Sequence, residues 1–420
     1  MTSQYTARIC GLKPGFDFVA AHFNCERNPY TTQNPNGYVN LGSAQNFLNK
    51  REINARLSGT KHRGSDASYQ AFVGTDNCRQ AVANYLQSVA GVAVEHDQIV
   101  VGNGVIGLLE ALAISLLDIH QTVLIPSPVF PGLVNAITAR QSRQVRFLEL
   151  GPETNFRLTP QAFKAELVKR FHNGEPIKAA LLCSPGNPVG QVFSAEEIAE
   201  FVQIAGHFGI ALIVDEIYAS SCFGPQKFAS AIAAQAEHVF VVGGLSKDFG
   251  VAGLATGWVY GQDTSVMRAV ASQSHFFRLP APVQTSIESL LEPGWRAEFL
   301  QQNRQRLQQS FQRSVSALEE MNVPVFRADA GLCLWLDLSQ FIGSPDAHSE
   351  QRLYEFLLNE HRVHVSPGSG FFSSTAGFFR ICVAQEETIL QEGLRRVASG
   401  LSAISLHNKP ATIHQSSLIV

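Results

Sequence analysis

Charge is scarce in this chain of 420 residues: 32 basic and 35 acidic side chains make up 16% of it, against about 25% in an average globular protein. Hydroxylated aromatics are scarce too, with 8 Tyr beside 28 Phe. A chain so poor in charge and 45% hydrophobic does not stay disordered in water. Its net charge of -3 offers no electrostatic case for nucleic acid or an anionic membrane. Paired cysteines are missing. Cys10, Cys25, Cys78, Cys183, Cys222, Cys333 and Cys382 stand singly, which excludes a Cys-x-x-Cys zinc ribbon or redox motif. The 13 His show no His-x-x-x-His spacing, so no metal site is expected. Met1 to Gly11 has no apolar leader-like core, and no window approaches the ~18 apolar residues of a membrane span. Single thiols without a leader predict reduced cysteines and a cytoplasmic setting.

What is present is an alternation of short apolar runs with longer amphipathic ones. Strands are expected at Ile99–Val101, Thr122–Ile125, Val145–Leu148, Lys178–Cys183, Ile210–Val214 and Val239–Val242. A helix follows Gly102-Asn103-Gly104 through Leu117, and another starts at Ser194, where Ser194-Ala195-Glu196-Glu197 has capping-box form. Alternating strands and helices predict an α/β fold with a mostly parallel sheet covered on both faces. Ligands of such sheets sit at the carboxyl ends of strands, and Asn187, Asp215 and Lys247 all follow strand ends directly. From Pro293 the pattern changes. A polar helix through Met321 is followed by strands at Val325–Arg327, Leu332–Leu336, Val363–Val365 and Phe379–Val383, with helices at Ser349–His361 and Glu386–Leu401. This predicts a smaller α+β domain, and about 420 residues suit one large and one smaller unit. The stretch from His407 onward has no periodicity.

Four residues stand out chemically. Lys247, in a Gly-flanked turn after an apolar strand, suits a lysine of lowered pKa able to form a Schiff base; by itself it also reads as a loop lysine. Asp215 ends an apolar strand with Tyr218 a turn later, and it needs a cationic partner or caps a following helix. Asn187 lies in Ser184-Pro185-Gly186-Asn187-Pro188, either ordinary turn chemistry or an amide held rigidly. Arg380, in Phe378-Phe379-Arg380-Ile381-Cys382, needs an anion: a substrate carboxylate or an internal ion pair.

In order, Val214-Asp215-Glu216-Ile217-Tyr218, Leu245-Ser246-Lys247-Asp248-Phe249-Gly250 and Phe379-Arg380-Ile381 resemble the pyridoxal 5'-phosphate (PLP) enzymes of the aspartate aminotransferase fold, fold type I. Asn36-Gly37-Tyr38-Val39-Asn40-Leu41-Gly42 and Ser366-Pro367-Gly368-Ser369 are similar to its 1-aminocyclopropane-1-carboxylate synthase branch. The resemblance covers about Asn36 to Leu401. It implies a seven-stranded type of sheet, an N-terminal arm and small-domain segment over 1–60, a large cofactor-binding domain over 61–292, a small C-terminal domain over 293–405 and a tail over 406–420. It implies that Lys247 forms the internal aldimine and shuttles the α-proton, and that Asp215 pairs with the pyridinium nitrogen. Tyr218 and Asn187 would bond the ring oxygen, Phe130 would stack on the ring, and Arg380 would hold the substrate carboxylate. A small-molecule substrate and a homodimer with shared active sites are implied as well.

The chain departs from that family where the phosphate binds. The family's Ser three residues before the lysine is Gly244, its Arg eight residues after is Ala255, its helix-start Thr falls at Val105-Ile106, and the partner's Tyr is matched by Phe72. Ser246 and the backbone around Gly104, Val105 and Ile106 remain as donors. Arg278, or more weakly Arg63, would replace the lost cation, or PLP would bind weakly through ring and lysine. The alternative is a PLP-independent enzyme or binding protein on this scaffold, with an apolar ligand in the former phosphate cup. A catalytically dead scaffold fits the retained residues less well. Where the synthase branch has Ala-Glu-Asn, this chain has Ala44-Gln45-Asn46, so Gln45 offers a cationic sulfonium substrate no charge. Transamination or β/γ-elimination or replacement on an amino acid is therefore expected, rather than synthesis of 1-aminocyclopropane-1-carboxylate.

Overall fold

The computed structural model describes residues 17–140, 143–175, 177–326 and 328–407, with side chains as far as 404. Cys10, the segment Met1 to Gly11, Arg327 and the stretch 408–420 lie outside the described residues. Seven strands form the central sheet: β2 (Ile99–Asn103), β3 (Thr122–Ser127), β4 (Gln144–Glu149), β5 (Ile177–Cys183), β6 (Ala211–Asp215), β7 (Val239–Gly243) and β8 (Thr256–Gly261). Their order is β2-β8-β7-β6-β5-β3-β4. All run parallel except β8, which pairs antiparallel with both neighbours. β5, β6 and β7 are buried almost throughout, as near-continuous apolar runs require when helices cover both faces. β8 was not legible in the sequence. Its Thr-Gly-Trp-Val-Tyr-Gly run carries two glycines, which usually weaken a strand. Here Gly257 is needed, because a Cβ there would meet the Gly104 carbonyl carbon and the Val105 nitrogen at 2.8 Å.

Four helices matter for the site: α1 (Phe18–Glu26), α2 (Val105–Leu116), α3 (Ala195–His207) and α4 (Pro293–Glu320). The expected capping box starts α3: Glu197 N–H donates to Ser194 Oγ at 3.2 Å, and Ser194 N–H to Glu197 Oε2 at 2.9 Å. The second sheet is antiparallel, in the order β12-β13-β10-β9, from β9 (Val325–Phe326), β10 (Cys333–Asp337), β12 (Ser366–Pro367) and β13 (Phe378–Cys382). A two-stranded parallel pair, β1 (Val39–Asn40) with β11 (Val363–His364), ties the N-terminal segment to this region. The two later helices lie at Ala347–Asn359 and Glu387–His407, displaced from the expected bounds. Asp346 sets the first of them by accepting from Ser349 N–H at 2.7 Å.

The phenylalanine excess goes mainly into the core. Phe156 packs edge-on against Phe326, Trp335 and Phe378, the last three all on the second sheet, with centroids 4.9–5.9 Å apart. Each such pair adds about 0.5–1.5 kcal/mol beyond its buried area. Phe163, Phe193 and Phe201 form a second cluster beneath α3.

Candidate active site

A cleft of about 460 Å³ opens at the carboxyl ends of β5 and β6, against the start of α2 and the inner face of α1. Small-molecule sites usually span about 300–1,000 Å³. Lys247, Tyr218, Asp215, Asn187, Phe130, Ser246, Gly104, Val105, Ile106, Arg380 and Gln45 all line it, so residues up to 335 positions apart meet in one place.

Asp215 is the last residue of β6 and is buried. No helix begins there: a turn follows, and Asp215 Oδ1 accepts from Ile217 N–H at 3.1 Å. The helix-capping reading is therefore corrected. Burial pushes the carboxyl up to about 7, and no ion pair to Asp215 forms among the described residues. Tyr218 is buried as well, and burial holds its hydroxyl protonated.

Asn187 bridges the two halves of the site. Its Nδ2 donates to the Tyr218 hydroxyl at 3.4 Å, and its Oδ1 accepts from Arg380 Nη1 at 3.0 Å. Arg380, on β13, is buried. Nη2 donates to the Gly42 carbonyl, the guanidinium lies 4.6 Å from the Phe371 ring, and Nε has no hydrogen-bond partner among the described residues. Among the described residues no carboxylate pairs with Arg380. The internal salt bridge that would explain it blandly is absent there.

Lys247 follows β7 and lies half-buried. Its Nζ donates to the Ala44 carbonyl at 2.6 Å, and its own carbonyl accepts from Asn46 Nδ2 at 3.2 Å. Burial, and then the Arg380 charge, lower the ammonium pKa. The strand end is pinned from behind by α4. Asn303 Oδ1 accepts from Asn46 at 3.0 Å and from Asn49 at 2.7 Å, and Asn303 Nδ2 donates to the Asp248 carbonyl at 3.1 Å.

At the start of α2 the wall turns apolar, with Val105 and a partly exposed Ile106. Gly244 is closed off by main chain: a Cβ there would stand 2.4 Å from the Thr256 carbonyl oxygen. Ala255 adopts a left-handed conformation (φ 47°), and its carbonyl lies next to Gly104. Phe72 and Arg278 are not in this chain's cleft. They stack together on a separate surface groove, the guanidinium 5.1 Å from the Phe72 ring and 5.4 Å from Tyr69. Arg63 is bound to Glu288 at the surface, so within this chain it does not serve the cleft.

Residues that the sequence did not single out also line the cleft: Phe18, Val19, His22 and Phe23 on α1, with Ser43, Asn103 and Cys183. Spacing alone could have flagged α1, since positions 18, 19, 22 and 23 share one helical face.

The model for "Aminotransferase class I and II" matches residues 36–397. A 1-aminocyclopropane-1-carboxylate synthase of Oryza sativa subsp. japonica is 27% identical, across 94% of this chain and 77% of that protein. The corresponding synthase of Nicotiana tabacum is 28% identical, across 90% and 81%. Among solved structures, an aminotransferase from Mycobacterium tuberculosis superposes with a TM-score of 0.82 at 22% identity, covering 96% of this chain and 99% of that one. Aspartate aminotransferase from Thermus thermophilus with maleate gives 0.78 at 22%, covering 95% and 100%. With its sheet order, its cleft and a family match over most of its length, the chain belongs to the class I and II aminotransferases.

Proposed function

We propose that this chain is a PLP-dependent enzyme acting on an amino acid or amino-acid-like substrate, by transamination or by β/γ-elimination or replacement. One observation carries the reading most directly: the buried Arg380, without a carboxylate partner among the described residues, opens on the same cleft as Lys247. A bidentate carboxylate is the natural anion for it.

The residues present fit a pyridoxal ring. Asp215 bears a burial penalty that a protonated ring nitrogen would remove, Tyr218 and Asn187 offer donors toward a ring oxygen, and Phe130 offers a stacking face. When bound, PLP supplies an electron sink for the substrate α-carbon. The chain's own residues then divide the work. Arg380 anchors the carboxylate and so orients the α-carbon hydrogen. Lys247, with its ammonium disfavoured, offers a neutral Nζ that takes this proton and returns it elsewhere.

The phosphate end is held differently. Its donors would be the amides at the start of α2, the Ser246 hydroxyl and the Asn103 amide, and no Arg or Lys besides Arg380 and Lys247 lines the cleft among the described residues. A missing Arg contact costs about 1.5–3 kcal/mol and each missing neutral donor about 1. PLP affinity is then lower by roughly 1,000- to 10,000-fold than with a charged cup. The uncharged cup also favours a second reading, a PLP-independent enzyme or binding protein with an apolar ligand against Ile106. The reading further includes a homodimer, with Phe72 and Arg278 on the face offered to the partner's cleft, and a cytoplasmic setting.

The absorbance spectrum of the purified protein titrated with PLP separates the two readings. A visible band that Lys247→Ala abolishes is expected. A folded protein with no such band at saturating PLP would overturn the proposal.

A further inference from the structure

Three polar side chains sit together at the mouth of an otherwise apolar wall, and the ring and carboxylate contacts do not use them. They are His22 on α1, Asn40 at the end of β1 and Ser43 just beyond it; His22 and Ser43 line the cleft. His22 Nδ1 lies 2.9 Å from Ser43 Oγ and 3.2 Å from Asn40 Nδ2, while Asn40 Nδ2 is 3.1 Å from Ser43 Oγ.

The orientation of this cluster follows from one unambiguous donor. Ser43 backbone N–H donates to Asn40 at 3.1 Å, so the atom it meets is the amide oxygen Oδ1. That turns the Asn40 amide nitrogen toward His22 Nδ1 and Ser43 Oγ. Nδ1 is then assigned as the acceptor from the Asn40 amide. That assignment places the ring N–H donor on Nε2. Among the described residues no partner engages Nε2. The same cluster that ties up Nδ1 therefore prepares a single N–H donor at the cleft mouth.

Its surroundings define what that donor would meet. Phe18, Val19 and Phe23 flank His22 on α1, and Ile106 is on the cleft wall. Val19 and Phe23 are 66% and 56% exposed, unusually open for large apolar residues beside a site. The helix itself is well anchored: Asp17 caps it through Ala20 N–H, and Phe18 packs on Phe371, the ring that also carries Arg380.

We infer that His22, oriented by Asn40 and Ser43, is a specificity-determining contact: the enzyme takes amino acids with a bulky apolar side chain that carries a hydrogen-bond acceptor toward its far end. This rests on the reading above that Arg380 holds the substrate carboxylate. His22 is the contact, and Ser43 and Asn40 are positioning residues.

The test compares ether substrates with their hydrocarbon isosteres: O-methyl-L-serine with L-norvaline, O-methyl-L-homoserine with L-norleucine, and 4-methoxy-L-phenylalanine with 4-ethyl-L-phenylalanine. Binding is measured by calorimetry on protein saturated with pyridoxine 5'-phosphate, which has no aldehyde to react, and again with no added cofactor. In at least one pair, the ether-to-hydrocarbon affinity ratio is expected to fall about tenfold from wild type to His22→Phe, the value of one neutral hydrogen bond. Ser43→Ala should lower the same ratio and Ser43→Thr restore it, whereas a merely structural role would leave the ratio alone. Ratios unchanged within about twofold in His22→Phe for every pair would overturn the inference. If PLP gives no Lys247-dependent band, the proposed function falls, and the calorimetric ratios still decide the role of His22.

Discussion

Gly244 and Ala255, the two positions where the sequence resemblance implies a serine and an arginine, have different surroundings in the structure. A side chain at 244 would run into the Thr256 carbonyl, a main-chain atom that cannot swing aside. Restoring a serine there by Gly244→Ser is therefore expected to disturb the Lys247 turn rather than repair the cup. Ala255 is half-buried and already left-handed, so Ala255→Arg adds no new backbone strain. That single change should strengthen PLP binding by about 10- to 100-fold, the worth of one Arg–phosphate contact, read by titrating the visible band. An unchanged affinity would mean that the anion already has its cation from elsewhere. At this scale the sequence was informative about identity and blind to space. Asp215 and Arg380 were legible as polar residues at the end of, or inside, an apolar run, and Lys247 and Asn187 as polar residues in the turns that follow one. The Thr256 carbonyl was not legible, since a backbone atom brought close by β8 leaves no mark on residue type. Nor were His22 and Ser43, 21 positions apart, whose meaning depends on the amide orientation of Asn40.

Among the elements, α4 holds the turn around Lys247 from outside the cleft. Asn303, buried in that helix, is the common partner of Asn46, Asn49 and the Asp248 carbonyl. Asn303→Ala leaves up to three buried polar groups without that partner, at about 1–3 kcal/mol each before relaxation. A stability loss of about 2–4 kcal/mol is expected, measured as a lower denaturant midpoint. The Lys247-dependent band should weaken as well, because Asn46 also holds the Lys247 carbonyl. A loss below 1 kcal/mol would indicate that water replaces the asparagine. The parallel strands were readable as elements from their apolar runs, and the Ser194–Glu197 box from its spacing. The antiparallel strand β8 and the short strand β1 were not, whereas β11 falls within the strand expected at Val363–Val365. The first is two-thirds glycine and aromatic, and the second is two residues long, too short for any periodicity to register.

For the whole molecule, the scarcity of charge concentrates the electrostatics in a few buried acids. Burial raises Asp215 to about 7, Asp248 to about 7 and Glu216 to about 8. Each folded-state value exceeds the unfolded one, so the protonated forms favour the fold. The contribution is full below about pH 4 and is lost as pH rises through 7 to 8. The protein without PLP should therefore lose stability between about pH 4 and pH 8, by several degrees in Tm, and level off above that. Glu216→Gln, which keeps a neutral acceptor for Ala231 N–H, should flatten that slope. Bound PLP should flatten it too, by giving Asp215 a cationic neighbour. A slope unchanged by either would place its origin in other groups.

The closeness of Thr256 to Gly244 also makes the two positions unequal as places to add a side chain. At 244 any side chain meets the main chain of the neighbouring strand, so that strand must move to admit one. At 255 the residue already carries its Cβ in a left-handed turn, so a longer side chain asks for no new backbone conformation. Of the two, only position 255 is open to new chemistry without shifting β8.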